Sequence, residues 1–186
     1  MCRGRFITIE GGEGAGKTTQ VRLLVAALER MRVPARATRE PGGSPSGEAI
    51  RRLLLEGDGE RWDAVGEALL LVAARSDHVA RLIAPSLARG IWVVSDRFAL
   101  GSFAPDLTVI LDLPGETGLS RAAARGSVGD RFERLDRAFH ERLREGFRKI
   151  AADNTARCVL IDGSSDPQTV HRAILDAVDG RLRVAL

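Results

Sequence analysis

The sequence predicts an α/β domain built on a parallel sheet. Three observations carry that expectation. Strand-like apolar runs and helical periodicities alternate along the chain. The first apolar run leads directly into Gly11-Gly12-Glu13-Gly14-Ala15-Gly16-Lys17-Thr18, which fits G-x-x-x-x-G-K-[ST] at every fixed position. The length of 186 residues, 44% hydrophobic and 28% charged, suits one domain with a sizeable core. No internal repeat, low-complexity tract or linker divides the chain, so residues 1–186 are read as a single domain.

Phe6–Glu10 reads as a short buried strand. The helix Lys17–Met31 follows, because Val21, Leu24, Val25 and Leu28 recur at i, i+3, i+4 and i+7. A strand at Ala35–Thr38 and a helix at Ser46–Leu55 come next, then an apolar helix over Ala64–Leu82 that Pro85 should kink or end. Ile91–Ser95 and Leu107–Asp112 read as central strands, followed by a helix at Glu116–Ala124. The helix Phe132–Ala151 keeps Phe132, Leu135, Phe139, Leu143 and Ile150 on one side, and Cys158–Ile161 (strand) and Pro167–Val178 (helix) close the chain. One connection is anomalous. Parallel neighbours need a crossover of a dozen or more residues, and none fits between Asp96 and Asp106. Either these strands are not parallel neighbours, or residues that belong between them are absent.

Of the chain's 28 basic residues only Lys17 and Lys149 are lysines. Lys17 stands in the glycine loop, where a compact ammonium on a flexible stem reaches β- and γ-phosphates better than a planar guanidinium. Glycines let successive N–H groups turn toward a phosphate chain, the helix N-terminus favours an anion, and the Thr18 hydroxyl can ligate Mg²⁺. Lys17 is expected in a solvent-facing loop.

Arg39-Glu40-Pro41-Gly42-Gly43 follows the second strand, at the carboxyl end where α/β sheets bind ligands. Arg39 is either a fork for a phosphate or the surface arginine of an ordinary turn. Asp96 ends the third strand, and either helps hold Mg²⁺ or forms a simple ion pair, with Arg97 beside it. Arg75 interrupts an apolar helix and reads on its own as a snorkelling surface residue. Arg121, Arg125 and Arg131 surround Gly126-Ser127-Val128-Gly129-Asp130, either a flap whose arginines close over a transferring phosphate or an exposed loop.

The bulk numbers exclude other classes. The pI is near 9.5, yet net charge is only +3 and the basic residues are mixed with 25 acidic ones, so no nucleic-acid stripe is present. No run is long enough to cross a bilayer, and the chain enters a strand without an apolar leader. Cys2 and Cys158 have no metal-ligand or disulfide pattern and read as thiols of a cytoplasmic protein. His78, His140 and His171 have no ligand spacing. A GTPase switch matches Asp112-Leu113-Pro114-Gly115, but the guanine-reading Asn-Lys-x-Asp is missing. A nucleic-acid-binding ATPase is a further class.

Together these segments resemble the thymidylate kinase family. The resemblance is carried by Phe6–Gln20, by Arg39-Glu40-Pro41-Gly42-Gly43, by Ala73-Ala74-Arg75, by Asp96-Arg97-Phe98 and by Pro105-Asp106-Leu107-Thr108. Asp112-Leu113-Pro114 and Arg125-Gly126 through Asp130-Arg131-Phe132-Glu133 also match. It implies a P-loop nucleoside-monophosphate-kinase fold: a five-stranded parallel sheet flanked by helices, with a small lid at about 125–131. It implies transfer of a phosphoryl group from ATP to dTMP, with Mg²⁺, in a homodimer; another nucleoside-monophosphate kinase is the alternative. Gly11, Gly12, Glu13, Gly14, Ala15, Gly16, Lys17, Thr18 and Thr19 would hold ATP, and Thr18 and Asp96 the metal. Arg39, Arg75 and Arg97 would grip the acceptor together with Glu40, Pro41 and Val72, and Glu13 would face its 3′-hydroxyl.

The family divides by where its catalytic arginine sits. One type carries it in the glycine loop, where this chain has Gly14, so this chain resembles the type that supplies it from the lid, as Arg125 or Arg131, beside Lys17 and Glu13. Two departures stand out. Val72 stands where the family often has Phe, and the Ser-x-x-Ala-Tyr-Gln-Gly stretch after Asp-Arg-Phe is absent from a chain with no tyrosine at all. The absence coincides with the anomalous connection, so a missing stretch is expected near Leu100-Gly101. If residues there have been lost from this sequence, the Cα separation somewhere between Phe98 and Phe103 should exceed the ~3.8 Å of bonded neighbours.

Overall fold

Short runs of apolar and β-branched residues form the strands, and most are buried on both faces. The computed structural model describes residues 3–56, 61–98, 103–124 and 135–183. Five strands, β1 (Phe6–Gly11), β2 (Ala35–Arg39), β3 (Trp92–Asp96), β4 (Leu107–Asp112) and β5 (Cys158–Asp162), pair in parallel in the order β2-β3-β1-β4-β5. The described helices are α1 (Lys17–Arg30), α2 (Pro45–Leu55), α3 (Ala64–His78), α4 (Ala84–Ala88), α5 (Gly115–Ala124), α6 (Arg137–Asp153) and α7 (Pro167–Leu182). Four of their N-termini carry side-chain caps that satisfy otherwise orphaned N–H groups: Ser44, Asp63, Asp136 and Asp166.

Alternation of side chains along the strands separates two cores. On one face Ile7, Ile9, Val94, Val109 and Leu111 pack against Val21, Leu24 and Leu28 of α1 and Val170, Ile174 and Val178 of α7. On the other, Phe6 and Val93 meet Leu82, Ile83 and Leu87, while Ile110 and Cys158 meet Ala151 of α6. A row of small polar side chains crosses this second face at one register level, Thr38, Ser95, Thr8, Thr108 and Cys158, one from each strand. Thr8 donates to Thr108 at 3.0 Å.

The structure resolves the anomalous connection through strand order. β3 and β4 are parallel but not neighbours, because β1 lies between them. Asp96 is level with Ile9, and Leu107 with Ile7. The path therefore spans two strand spacings, ~10 Å, within the ~33 Å reach of ten extended residues. Phe98 and Phe103 lie against Phe6 with ring centroids 4.9 and 5.9 Å away. Residues 99–102, where the missing stretch was expected, lie outside the described residues, as do Arg125 and Arg131, the arginines expected in a lid.

Of the two expectations for Pro85, an end to the helix is not met, since the helical run continues through it, but its winding changes just before the proline. Between α3 and α4 the chain winds as one π turn, Val79–Ile83, and Pro85 falls in the first turn of α4. The Ala84 N–H reaches back five residues to the Val79 carbonyl. This wider winding accommodates the ring and its missing N–H, and Ser86 Oγ donates to the Leu82 carbonyl at 2.6 Å.

Candidate active site

The glycine loop joins β1 to α1. Lys17 is the first residue of α1 and is only 7% exposed, not solvent-facing as expected. Its Nζ donates to the Gly12 carbonyl at 2.7 Å. Burial, together with the nearby Arg97 charge, pushes its pKa down to about 8, against the pull of Glu13, Asp96 and Glu10. A buried ammonium with so few fixed partners is poised to gain from an incoming polyphosphate.

Gly14 adopts φ 68°, and a Cβ there would lie 2.0 Å from the Gly118 carbonyl of α5. Reciprocally, a Cβ on Gly118 would lie 2.2 Å from the Glu13 carbonyl. Position 14 thus has no room for a side chain, in agreement with a loop that carries no arginine of its own.

On the neighbouring strand, Thr18 Oγ1 donates to Asp96 in a direct contact between α1 and the end of β3. Arg97 holds a left-handed backbone at φ 68°, uncommon for a non-glycine residue. Four bonds keep it there. Its N–H donates to the Ile9 carbonyl at 3.0 Å, and its carbonyl accepts from Ser95 Oγ at 2.7 Å. The following N–H, of Phe98, donates to Glu10 at 2.6 Å, and its own guanidinium reaches the Gly11 carbonyl at 3.0 Å. The guanidinium also pairs with Glu13. Burial raises the Glu10 pKa to about 6, partly offset by the Phe98 N–H and the charges of Arg97 and Lys17.

The loop after β2 lines the same cleft as the glycine loop. Arg39 pairs with Glu48 at 2.9 Å, and Glu48 accepts the Gly43 N–H at 3.0 Å, which holds its carboxyl below the usual carboxylate range. The peptide bond Glu40–Pro41 is cis, and Gly42 and Gly43 take positive φ. Glu40 is buried, pairs with Arg75 at 2.9 Å and contacts His78 Nδ1 at 3.2 Å.

One cleft of about 840 Å³ joins these parts. It is lined by Glu13, Gly14, Gly16, Lys17, Thr18 and Thr19, by Arg39, Glu40 and Pro41, and by Asp96 and Arg97. Gly11, Gly12 and Ala15 complete the loop without lining the cleft. Arg75 stands behind it, bonded to Glu40 and with its guanidinium 5.0 Å from the Phe98 ring. Val72 is 60% exposed and outside the cleft, and Leu71 provides the apolar contact there instead. Asp112, the first residue of the switch-like pattern, is held bidentately by Arg144 at 2.7 and 3.0 Å. Glu10 and His78 were missed by sequence reasoning. The one signal for Glu10 is a charge closing the apolar run Phe6–Ile9; His78, which follows Arg75-Ser76-Asp77, carries none. Among the described residues no cluster of three or more His, Cys, Asp or Glu could hold a metal, and no helix is long and apolar enough to cross a membrane.

Comparison with known proteins gives a consistent set of likenesses. The family model described as thymidylate kinase matches residues 9–104 and 100–174, two stretches that meet at the β3–β4 connection. The thymidylate kinase of Bradyrhizobium diazoefficiens is 49% identical, over 97% of this chain and 91% of its own length. That of Nitrobacter hamburgensis is 46% identical, over 100% and 92%. The latter alignment runs over 212 positions against 186 residues here, so 26 of its positions lack a counterpart in this chain. The crystal structure of thymidylate kinase from Ehrlichia chaffeensis superposes with a TM-score of 0.71 at 28% identity, covering 95% of this chain and 99% of that one.

Proposed function

The chain belongs to the thymidylate kinase family, and from that premise we propose a role for each part of the cleft. The reaction is transfer of the γ-phosphate of ATP to dTMP, giving ADP and dTDP. The observation that carries the assignment of parts is that residues of the Lys17 loop and of the Arg39–Gly43 loop line the same cleft. Such a cleft can hold a donor and an acceptor phosphate end to end.

In this reading Lys17 and the loop amides from Gly11 to Thr19 hold the ATP phosphates. Arg39 exchanges Glu48 for the acceptor phosphate, and Arg97, fixed by its four backbone and side-chain bonds, presents its guanidinium to the same phosphate. Glu13 faces the sugar, and Arg75, with Glu40 and Pro41, forms the acceptor wall. The phosphate oxygen of dTMP is already a competent nucleophile, so positioning and charge neutralisation do most of the work. Thr18 and Asp96 offer adjacent hard oxygen donors, a fit for Mg²⁺, which they would hold and which would supply positive charge to the transferring phosphate. We assign the remaining positive charge to Arg125 or Arg131, in the segment that follows α5.

A coupled assay with ATP and a panel of nucleoside monophosphates tests the reading. Preferred turnover of dTMP is expected, and preference for another monophosphate would move the enzyme to a sister activity. We also place the 26 additional positions of the relative in the β3–β4 connection.

A homodimer is part of the same proposal. Val65, Leu69 and Val72 stand at i, i+4 and i+7 on α3, exposed by 67, 65 and 60%. A second copy laid on this stripe would bury it. Light scattering of Leu69→Glu beside the parent protein should show monomer beside dimer. We place the enzyme in the cytoplasm, where ATP is at hand and the buried free thiol of Cys158 stays reduced.

A further inference from the structure

His78 has no place in the roles assigned so far, yet it is 0% exposed and both ring nitrogens have partners. It is the last residue of α3, where the winding widens into the π turn, a local irregularity that recurs at functional sites. Nδ1 lies 3.2 Å from Glu40 Oε1, and Nε2 lies 2.7 Å from Thr38 Oγ1. An ionised carboxylate only accepts hydrogen bonds, so Nδ1 carries the proton and donates it toward Glu40. With the proton on Nδ1, Nε2 is the atom that accepts from the Thr38 hydroxyl. The other oxygen of Glu40 receives Nε and NH2 of Arg75, at 3.0 and 2.9 Å. The result is one chain of contacts, Thr38–His78–Glu40–Arg75, buried at its centre and running from β2 through the end of α3 to the acceptor wall.

The ring also supports the loop directly. A Cβ on Gly43 would lie 2.3 Å from His78 Nε2 and 2.5 Å from Thr38 Oγ1. The Gly42–Gly43 turn therefore rests on the imidazole, and Glu40, two residues before it, is oriented by the same ring.

We infer that His78 is a positioning residue for the acceptor half of the site, orienting Glu40 so that Glu40 orients Arg75. The inference rests on the reading of Arg75 and the Arg39–Gly43 loop as the acceptor side. The Lys17 loop lies outside this chain of bonds, so the effect belongs to acceptor binding and not to ATP.

The test compares His78→Leu and His78→Asn. Loss of a hydrogen bond to a charged group in a buried site predicts that His78→Leu raises the KM for dTMP by about 10- to 100-fold, with the KM for ATP changed less than ~2-fold. His78→Asn keeps an amide N–H near the position of Nδ1–H and should recover most of that loss. An unchanged KM for dTMP in the leucine variant overturns the inference. So does an equal rise in both KM values, or an asparagine variant no better than leucine. Independently of any variant's folding, ¹⁵N NMR of the wild-type ring should show the Nδ1–H tautomer, and an Nε2–H ring overturns the inference. If the wild-type enzyme prefers another monophosphate, the acceptor reading changes; the tautomer result stands, and the KM comparison is made with that acceptor.

Discussion

Replacing Lys17 by Met should make the ligand-free protein more stable while removing its activity. The ammonium is buried, and its pKa is depressed from 10.5 to about 8. At ~1.4 kcal/mol per pKa unit, holding the charged form in the fold costs about 3 kcal/mol relative to the unfolded chain. Methionine has similar length and no charge. It recovers that cost, less whatever the amine gains from the Gly12 carbonyl, so a gain of about 1–3 kcal/mol is expected. For a chain of this size this is a rise in Tm of roughly 3–10 °C. The pH dependence gives the signature. Between about pH 8 and 10.5 the unfolded chain binds more protons at this residue than the folded one, so wild-type stability rises with pH across that window. The advantage of the variant should therefore be full near pH 7 and shrink toward pH 10. Calorimetry at both ends measures it, and a coupled assay should show kcat reduced by at least ~100-fold. A variant less stable than wild type near pH 7, or an advantage that does not change with pH, would refute the burial argument.

Glu10 gives the mirror case. Its folded pKa of about 6 lies above the ordinary 4.5, so wild-type stability falls as pH rises through that window, by ~2 kcal/mol. Glu10→Gln can still accept the Phe98 N–H, and urea titrations should find it up to ~2 kcal/mol more stable than wild type near pH 7 and no more stable at pH 4.5. Gly118→Ala pushes a methyl to within 2.2 Å of the Glu13 carbonyl; a loss of about 1–3 kcal/mol in denaturant titration and weaker ATP binding by calorimetry are expected. Of Arg125→Ala and Arg131→Ala, one should lower kcat more than it raises the KM for dTMP, as loss of a transition-state contact requires, and unchanged kcat in both would remove the lid from the mechanism.

Local chemistry made much of this molecule readable. The strands β1 to β5 fall within a residue of their apolar runs at either end, and α1 buries the Val21, Leu24 and Leu28 face that its periodicity marks. The glycine loop and the Arg39–Gly43 loop were legible because special backbone geometry demands special residues. What remained hidden depends on partners distant in sequence. Strand order, which puts β1 between β3 and β4, is decided by tertiary pairing. The apolar stretch of α3 did not reveal which side faces the cleft, so Val72 was placed where Leu71 stands. The burial of Lys17, and the satisfaction of His78 by Thr38 and Glu40, cannot be read from a lone charged or polar letter. Pro85 was read by the rule for α-helix interiors, which the π turn relaxes.

The contact between Gly14 and Gly118 also bears on how such enzymes can change over generations. A chain that moved its catalytic arginine from the lid into position 14 would need more than one substitution. The new side chain would meet the Gly118 carbonyl at 2.0 Å from its first carbon, on a backbone that already favours glycine. α5 would first have to retreat, and the chain runs from α5 directly into Arg125 and Arg131, the residues proposed to supply that charge. Each single step therefore damages one arrangement before the other can function. The two kinds of site are separated by a valley in fitness, and a lineage that settles on one side is held there by packing rather than by chemistry.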